Sequence, residues 1–462
     1  MAEVDNEAVL ESEAQEGYEL DNRLLPKVKA ALASGDRAEL DALFEPLHPA
    51  DIADLLEQMD EGPRADLLAV AADIVEGEVL TEISEGVREE IIAALPSAVL
   101  SDAVRDLDSD DVVDILEDLD EPQQEALLDA LDAGDRVAVE QSLSYPEDSA
   151  GRLMQREVVM GPEHWTVGEA IDFLRASDDL PEQFYHMILV DPRMRPTGYV
   201  TLGRMLGSKR EVKLKDITEE SFRPIPVDQD EEEVAYAFNQ YHLISAPVVD
   251  ADERLVGVIT IDDAMIVQGE EAEEDILRLA GINEGSLSDR VIATTKRRFP
   301  WLFVNLITAI LASLVIAQFD AAIAQIVALA VLMPIVASMG GNAGTQSLTV
   351  AVRAIATKDL TGSNVWRVIR RECLVGLVNG VIFAVVMGVV GIIWFGSPAL
   401  GGVIAVAMVV NLVVAGLAGT AIPVILEKLG IDPALASGAF VTTVTDVVGF
   451  FAFLGLAAIV LL

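Results

Sequence analysis

Four stretches of the C-terminal third carry almost no charge, and this constrains the chain more than any other feature. Residues 299–319, 321–352 and 373–426 are uncharged, and 433–462 hold a single charged residue, Asp446. A hydrocarbon core of about 30 Å needs about 20 apolar residues of helix. The run 373–426 is too long for one crossing, and GSPALGG at 396–402 splits it at a turn. Five membrane spans are therefore expected. Basic residues in short loops mark the cytoplasmic side. Lys296, Arg297 and Arg298 precede the first span; Arg353, Lys358, Arg367, Arg370 and Arg371 separate the second from the third; Lys428 separates the fourth from the fifth. The loops at Asp320 and at 396–402 have none. A multi-pass protein of the cell membrane is expected, with its N-terminal part in the cytoplasm and Leu462 outside.

Charge divides the chain in the same place. Residues 296–462 hold nine of the 31 Lys and Arg and six of the 77 Asp and Glu, for +3; the first 295 residues carry 22 basic against 71 acidic residues, for −49. Phosphate backbones would be repelled, which argues against nucleic acid and favours cations. Salt adaptation of a solvated surface is the alternative account of the acidity. The lone cysteine, Cys373, excludes an intrachain disulfide and sits at the start of the third span. MAEVDNEAVLESEAQEG lacks a basic segment followed by an apolar one, so no cleaved signal is expected.

Two internal repeats organise the acidic part. DIADLLEQMDEGPRADLL (51–68) aligns with DVVDILEDLDEPQQEALL (111–128), apolar residues recurring at i, i+3, i+4 and i+7 as in Ile52, Leu55, Leu56 and Met59. Such a unit cannot bury its face alone, so an all-α superhelical domain of stacked helix pairs is expected over 1–147. LVDPRMRPTGYVTLGRM (189–205) aligns, 59 residues on, with VVDADERLVGVITIDDA (248–264). Each copy reads as a helix, a strand ending in Asp, a turn, and a strand built on Gly-x-x-Thr. The pair resembles tandem CBS domains, α/β modules expected at 148–208 and 209–268. In that family an Asp closing Gly-x-x-Thr-x-x-Asp can hold a nucleotide ribose; Asp263 fits, while Arg204 stands in its place in the first copy. At most one ATP site is implied. Residues 269–298 read as a connecting, plug-like helix leading to a transmembrane bundle at 299–462.

Within the spans, GGNAGTQS (340–347) sets three glycines beside Asn342, Thr345, Gln346 and Ser347. The uncharged run around it is longer than a bilayer requires, so a break or tilt is expected. Two readings stand side by side: backbone lining a wet path, or close helix packing with polar side chains as glue. Asp446 is the sharper signal, since a carboxylate at a span's middle costs about 2.5–3.5 kcal/mol on insertion scales and usually faces a water-filled route. Thr442 and Thr443, four and three residues earlier, share its face. No His occurs in the spans, and the one Cys, Cys373, sits only at the start of the third, which disfavours a dedicated copper, zinc or nickel site. Magnesium sheds water reluctantly and is held by one or two carboxylates. A twofold dimer would bring two copies of Asp446 to one axis.

PIVASMGGNAGTQS (334–347), GIDPALASGAFVTTVTDVVGF (430–450), AGRLM (150–154) and EEAEEDILRLAG (270–281) resemble the MgtE family of magnesium channels. The resemblance implies a homodimer passing hydrated Mg2+ into the cytoplasm, with Asp446, Asn342 and Thr442 in the pore. It further implies closure when cytoplasmic Mg2+ bridges acids of the soluble domains, here Asp110, Asp114, Asp230, Glu232, Asp263, Glu271, Glu274, Asp275 and Asp432. Ile266 and His242 stand where family members can carry aspartates, and Ala439 replaces a proline common after Ser-Gly. The alternatives are a broader divalent-cation transporter for cobalt or manganese and a nucleotide-sensing membrane protein. No enzyme is expected, since no nucleotide-hydrolysis motif and no nucleophile with a plausible base is found.

Overall fold

The computed structural model describes residues 23–462 except 106, 118, 120, 130, 178, 179, 182, 220, 221 and 283–290, and excepting the side chains of 85, 126, 293 and 435–437. The leader reading of residues 1–17 lies outside the described residues, as does the middle of the 269–298 segment. The chain divides into two compact units, Met1–Gln268 and Gly269–Leu462.

The first unit opens with short helices: α1 (Leu24–Ser34), α2 (Arg37–Phe44), α3 (Pro49–Glu57), α4 (Glu61–Ala71), α5 (Gly77–Glu82), α6 (Glu85–Ala94), α7 (Ser97–Arg105), α8 (Ser109–Glu117), α9 (Glu121–Leu128) and α10 (Ala133–Ser142). Their starts are written locally. The Asp36 carboxylate accepts the Glu39 N–H, and α3 begins with a reciprocal pair in which His48 accepts from Ala50 while Asp51 accepts from the His48 N–H. The repeat is realised residue for residue: Ile52, Leu55, Leu56 and Met59 of the α3 stretch are buried, and so are Val112, Ile115, Leu116 and Leu119 of the α8 stretch. All eight belong to one continuous core.

A short α11 (Ala150–Leu153) leads into two sheets. One runs β1 (Met160–Pro162), β2 (His186–Val190), β3 (Pro196–Thr201), with α12 (Val167–Ala176) in the β1–β2 crossover and α13 (Leu202–Gly207) following. The other runs β4 (Ile225–Pro226), β5 (Ser245–Val249), β6 (Leu255–Thr260), with α14 (Glu231–Tyr241) in the crossover. In each copy the first strand is parallel to the second and the second antiparallel to the third. The register repeats at the 59-residue offset, His186 opposite Thr201 and Ser245 opposite Thr260, with an irregularity at the same place in both. The two short parallel strands are only three and two residues long. Ile188, Val190, Leu255 and Val258 form the apolar joint between the copies.

The connecting helix, expected at 269–298, is placed differently. α15 (Ile261–Leu279) starts directly from β6, and the chain turns at Gly281 with φ +76°. Residues 291–298 belong to the next helix, α16 (Val291–Ala317). Asp262 and Asp263 in the first turn favour an early start, because acids complement the positive end of a helix.

Among the described residues, five helices of the second unit are long and apolar enough to span a membrane: Thr294–Ala317 within α16, α18 (Ala328–Ala356), α19 (Val365–Phe395), α20 (Pro398–Lys428), and Gly438–Val460 within α21 (Pro433–Val460); a short α17 (Asp320–Gln325) precedes α18. Cys373, read as the start of the third span, thus lies two turns inside α19. Of the break or tilt expected around 340–347, a break at the glycines is not what the structure has. α18 runs through them without interruption, and the run is broken instead at Ile326 and Val327, between α17 and α18. α18 is still about 44 Å long at 1.5 Å per residue, longer than a core of about 30 Å requires, so it either tilts or carries its ends past the core.

The glycines serve close packing around α20, the most buried span. A Cβ at Gly419 would lie 2.5 Å from the Gly344 carbonyl oxygen, and one at Gly416 would lie 2.6 Å from that of Glu372. Backbones in contact leave no room for side chains, which is how helices associate where lipid offers no hydrophobic drive.

Candidate cation pathway and acidic clusters

The Asp432 carboxylate caps α21, accepting the Ala434 N–H at 2.7 Å ahead of Pro433 in the first turn. Four turns on, Asp446 lies at the helix midpoint, partly buried. Among the described residues no ion pair to Asp446 is found, the nearest basic residues in sequence lying toward helix ends or in loops. Thr442 shares its face. The Thr442 hydroxyl donates to the Gly438 carbonyl at 3.0 Å and that of Thr443 to Ala439 at 2.5 Å. Their protons are thus committed to the helix, leaving oxygen lone pairs to face outward.

α18 presents two different faces. Gly340, Gly344, Ser347 and Leu348 are buried, whereas Ser338, Asn342, Thr345, Gln346 and Thr349 are exposed. Those five polar residues fall at i, i+4, i+7, i+8 and i+11, one stripe of a helix. On the buried face a Cβ at Gly344 would meet Val441 Cγ1 at 2.6 Å and Thr445 Cγ2 at 3.5 Å, so the helices bearing Asn342 and Asp446 pack directly together. Asn342, Thr442 and Asp446 do not bond one another; the Asn342 Nδ2 points to Ser338 Oγ at 3.4 Å.

In the first unit, the start of α8 and the end of β6 bring acids together. Burial and the neighbouring Asp263 and Asp111 charges hold the Asp110 carboxyl well above its usual range. Burial first, then Asp263 and Asp108, push Asp111 up to about 7. Asp263 is pushed up to about 6 by burial and partly drawn back by the Thr260 hydroxyl, which donates to its Oδ2 at 2.6 Å. Asp110 and Asp263 are therefore close together, joined by Asp108, Asp111 and Asp262, which were not singled out. Asp114 is turned elsewhere, its Oδ2 2.5 Å from the buried Arg88 guanidinium. Asp230 caps α14, accepting the Glu232 N–H at 3.1 Å. His242 ends that helix in the left-handed region at φ +53°. In the second unit, Arg278 draws acids in: its Nη1 lies 2.9 Å from Asp432 Oδ2, and it also pairs with Glu274. Asp275 is raised by burial and by the Asp432 charge. Glu271 lies one turn before Asp275 on α15.

Gly257, Thr260 and Asp263 sit where the Gly-x-x-Thr-x-x-Asp reading put them, beside a cleft lined in part by Tyr185, His186, Ser245 and Thr260. His186 Nε2 lies 2.6 Å from Ser245 Oγ, and burial lowers the imidazole to about 4, so the ring is neutral. Arg204, in the first copy, pairs with Glu219 at 3.0 Å. Among the described residues no three His, Cys, Asp or Glu side chains converge to hold a bare metal ion.

Residues 333–456 match the family model described as MgtE, divalent cation transporter; 47–148 match the MgtE intracellular N domain and 214–269 a CBS domain. A magnesium transporter MgtE of Bacillus subtilis is 34% identical over 328 residues, 70% of this chain and 72% of the relative. The magnesium transporter MgtE of Thermus thermophilus is 34% identical over 71% of this chain and 73% of its own. The chain belongs to the MgtE family. Among solved structures, the cytosolic domain of the Mg2+ channel MgtE in complex with ATP is 31% identical at a TM-score of 0.48, covering 53% of this chain and 99% of that one. The soluble part of a magnesium transporter is 24% identical at 0.46, covering 54% and 98%.

Within this MgtE-family chain, sequence reasoning passed over Asn411, Arg278 and Asp111. Asn411 is wholly buried in α20. Its signal was available: it is one of the few carboxamides in the uncharged run 373–426, the same kind of anomaly as Asp446. Arg278 is the sole basic residue of 269–281. Asp111 had no distinguishing mark among so many acids.

Proposed function

We propose that this protein passes hydrated Mg2+ across the cell membrane into the cytoplasm. The observation that carries the proposal is the outward polar stripe of α18 packed beside the helix of Asp446. Such a face is costly against lipid and fits water or a second protein surface. A homodimer with its axis along this face would pair two Asp446 carboxylates, with Asn342 and Thr442 offering further oxygens. One or two carboxylates and neutral oxygens suit an ion that keeps its water shell. The relatives named magnesium transporters support this ion over cobalt or manganese. Asp446→Ala is expected to abolish growth at limiting magnesium in cells whose other importers are deleted. Full rescue by that variant would remove Asp446 from the pathway.

Regulation by cytoplasmic Mg2+ is the second part of the proposal. The clusters of Asp110 with Asp263 and of Glu274, Asp275 and Asp432 are held at a repulsive cost that divalent cations relieve, so Mg2+ favours the gathered arrangement. Glu271, Asp114, Asp230 and Glu232 belong to the same proposed set, with Asp114 tempered by Arg88 and Asp230 by its cap. The domain limits at 147, 208 and 268 and the outward C-terminus are part of the proposal; the distribution of basic loops supports the orientation of the C-terminus. ATP in the CBS cleft is a subsidiary reading, resting on the Thr260–Asp263 pair.

A further inference from the structure

Asn411 is the most conspicuous polar group of the membrane unit that the proposed pathway does not use. The side chain is 0% exposed, in the middle of α20. Its Nδ2 donates to the Val336 carbonyl of α18 at 2.8 Å. Its Oδ1 has no hydrogen-bond partner among the described residues. Two glycines make room for it. A Cβ at Gly340 would lie 2.8 Å from its Cγ and 3.0 Å from its Oδ1, and one at Gly449 would lie 2.7 Å from its Nδ2 and 2.9 Å from its Cγ. The carboxamide is thus clasped between backbone of α18 and backbone of α21.

Those contact points lie close to the proposed ion ligands. Gly340 is two residues before Asn342, and Gly449 three residues after Asp446. The Val336 carbonyl is the acceptor that the helical ladder assigns to Gly340, so the extra donor fastens the turn leading into Asn342. A slip of one residue along either helix moves a ligand by about 1.5 Å and about 100°. An apolar side chain of the same size would fill the space without specifying that register, because dispersion contacts have no direction whereas the amide has one acceptor in reach. A buried polar group with one half unpaired is otherwise a cost in a membrane.

We infer that Asn411 is a positioning residue for ion selection, keying the second and fifth spans in register so that Asn342 and Asp446 keep their relative placement. The inference rests on the transport reading above. The test uses the full chain in liposomes, with Mg2+ and Ca2+ uptake measured separately and thermal unfolding followed in parallel. The ratio of the two fluxes is insensitive to the fraction of misfolded protein. Asn411→Leu is expected to keep the unfolding temperature and to lower the Mg2+/Ca2+ ratio about tenfold, the scale on which groups behind a metal ligand tune a site. Gly449→Ala should lower the unfolding temperature; in Asn411→Ala/Gly449→Ala the stability should return while the ratio stays low. This double variant decides the matter should Asn411→Leu not fold. A wild-type ratio in either folded variant would reduce Asn411 to a space-filler and overturn the inference. Wild-type vesicles that carry no Mg2+ would sink the transport reading, and this inference with it.

Discussion

At the scale of single residues, backbone proximity decides what the membrane unit tolerates. Gly419 faces the Gly344 carbonyl, so Gly419→Ala must push two helix backbones apart. Overpacking of this kind costs about 1–3 kcal/mol. Gly402 lies on the same helix with nothing within 4 Å of its would-be Cβ, and Gly402→Ala should be neutral or slightly stabilising. Thermal unfolding of the two variants in detergent checks this, and equal unfolding temperatures would contradict the packing described for α20. The contrast also explains what was legible. Asp446 announced itself because a charge in an apolar run is expensive wherever it points. Glycines do not say whether they break a helix or let another approach, so GGNAGTQS was open to both readings until Gly344 was seen against Val441 and Gly340 against Asn411.

At the scale of elements, the meeting of α8 with the end of β6 has a pH signature. Asp111 and Asp263, near 4 in an unfolded chain, stand at about 7 and about 6 here, chiefly through burial. Between roughly pH 4 and pH 7 the folded chain therefore binds more protons than the unfolded one, and stability falls as pH rises. Their favourable contribution is complete below pH 4 and gone above pH 7. In chelator, the first thermal transition of the purified protein should drop between pH 5.5 and pH 8. Asp111→Asn should raise that transition at pH 8 by about 2–4 °C, the shift that about 1 kcal/mol gives in a domain of this size. Millimolar Mg2+ should restore the wild type at pH 8 and do less for the variant. A transition indifferent to pH would mean that these acids are solvated after all. The repeats of 51–68 and 111–128 foretold that α8 is a helix with Val112, Ile115 and Leu116 inward. They could not foretell which outward acids meet another element, because that depends on how the helical domain sits against β6, and no local pattern encodes it.

At the scale of the whole molecule, the order of domains was readable because each is made of a different material: acidic helical repeats, two copies of a small sheet, and uncharged runs. What escaped was detail at the seams. The start of α15 at Ile261 was missed because the strand and the helix share an unbroken acidic sequence, Thr260-Ile261-Asp262-Asp263, with no glycine or proline between them. The outward stripe of α18 predicts a partner of the same kind. Light scattering in nanodiscs should return a protein mass of twice 49.5 kDa. A value of one chain would leave Ser338, Asn342, Thr345, Gln346 and Thr349 facing lipid and would undo the paired-carboxylate reading. The glycine seams around α20 have a mechanical corollary. With α18 and α19 touching it backbone to backbone, no compressible layer separates these three, and they are expected to travel as a single slab. In the proposed dimer, a conduit bounded by such slabs would change its bore by rocking whole subunits about their shared axis rather than by flexing one strut.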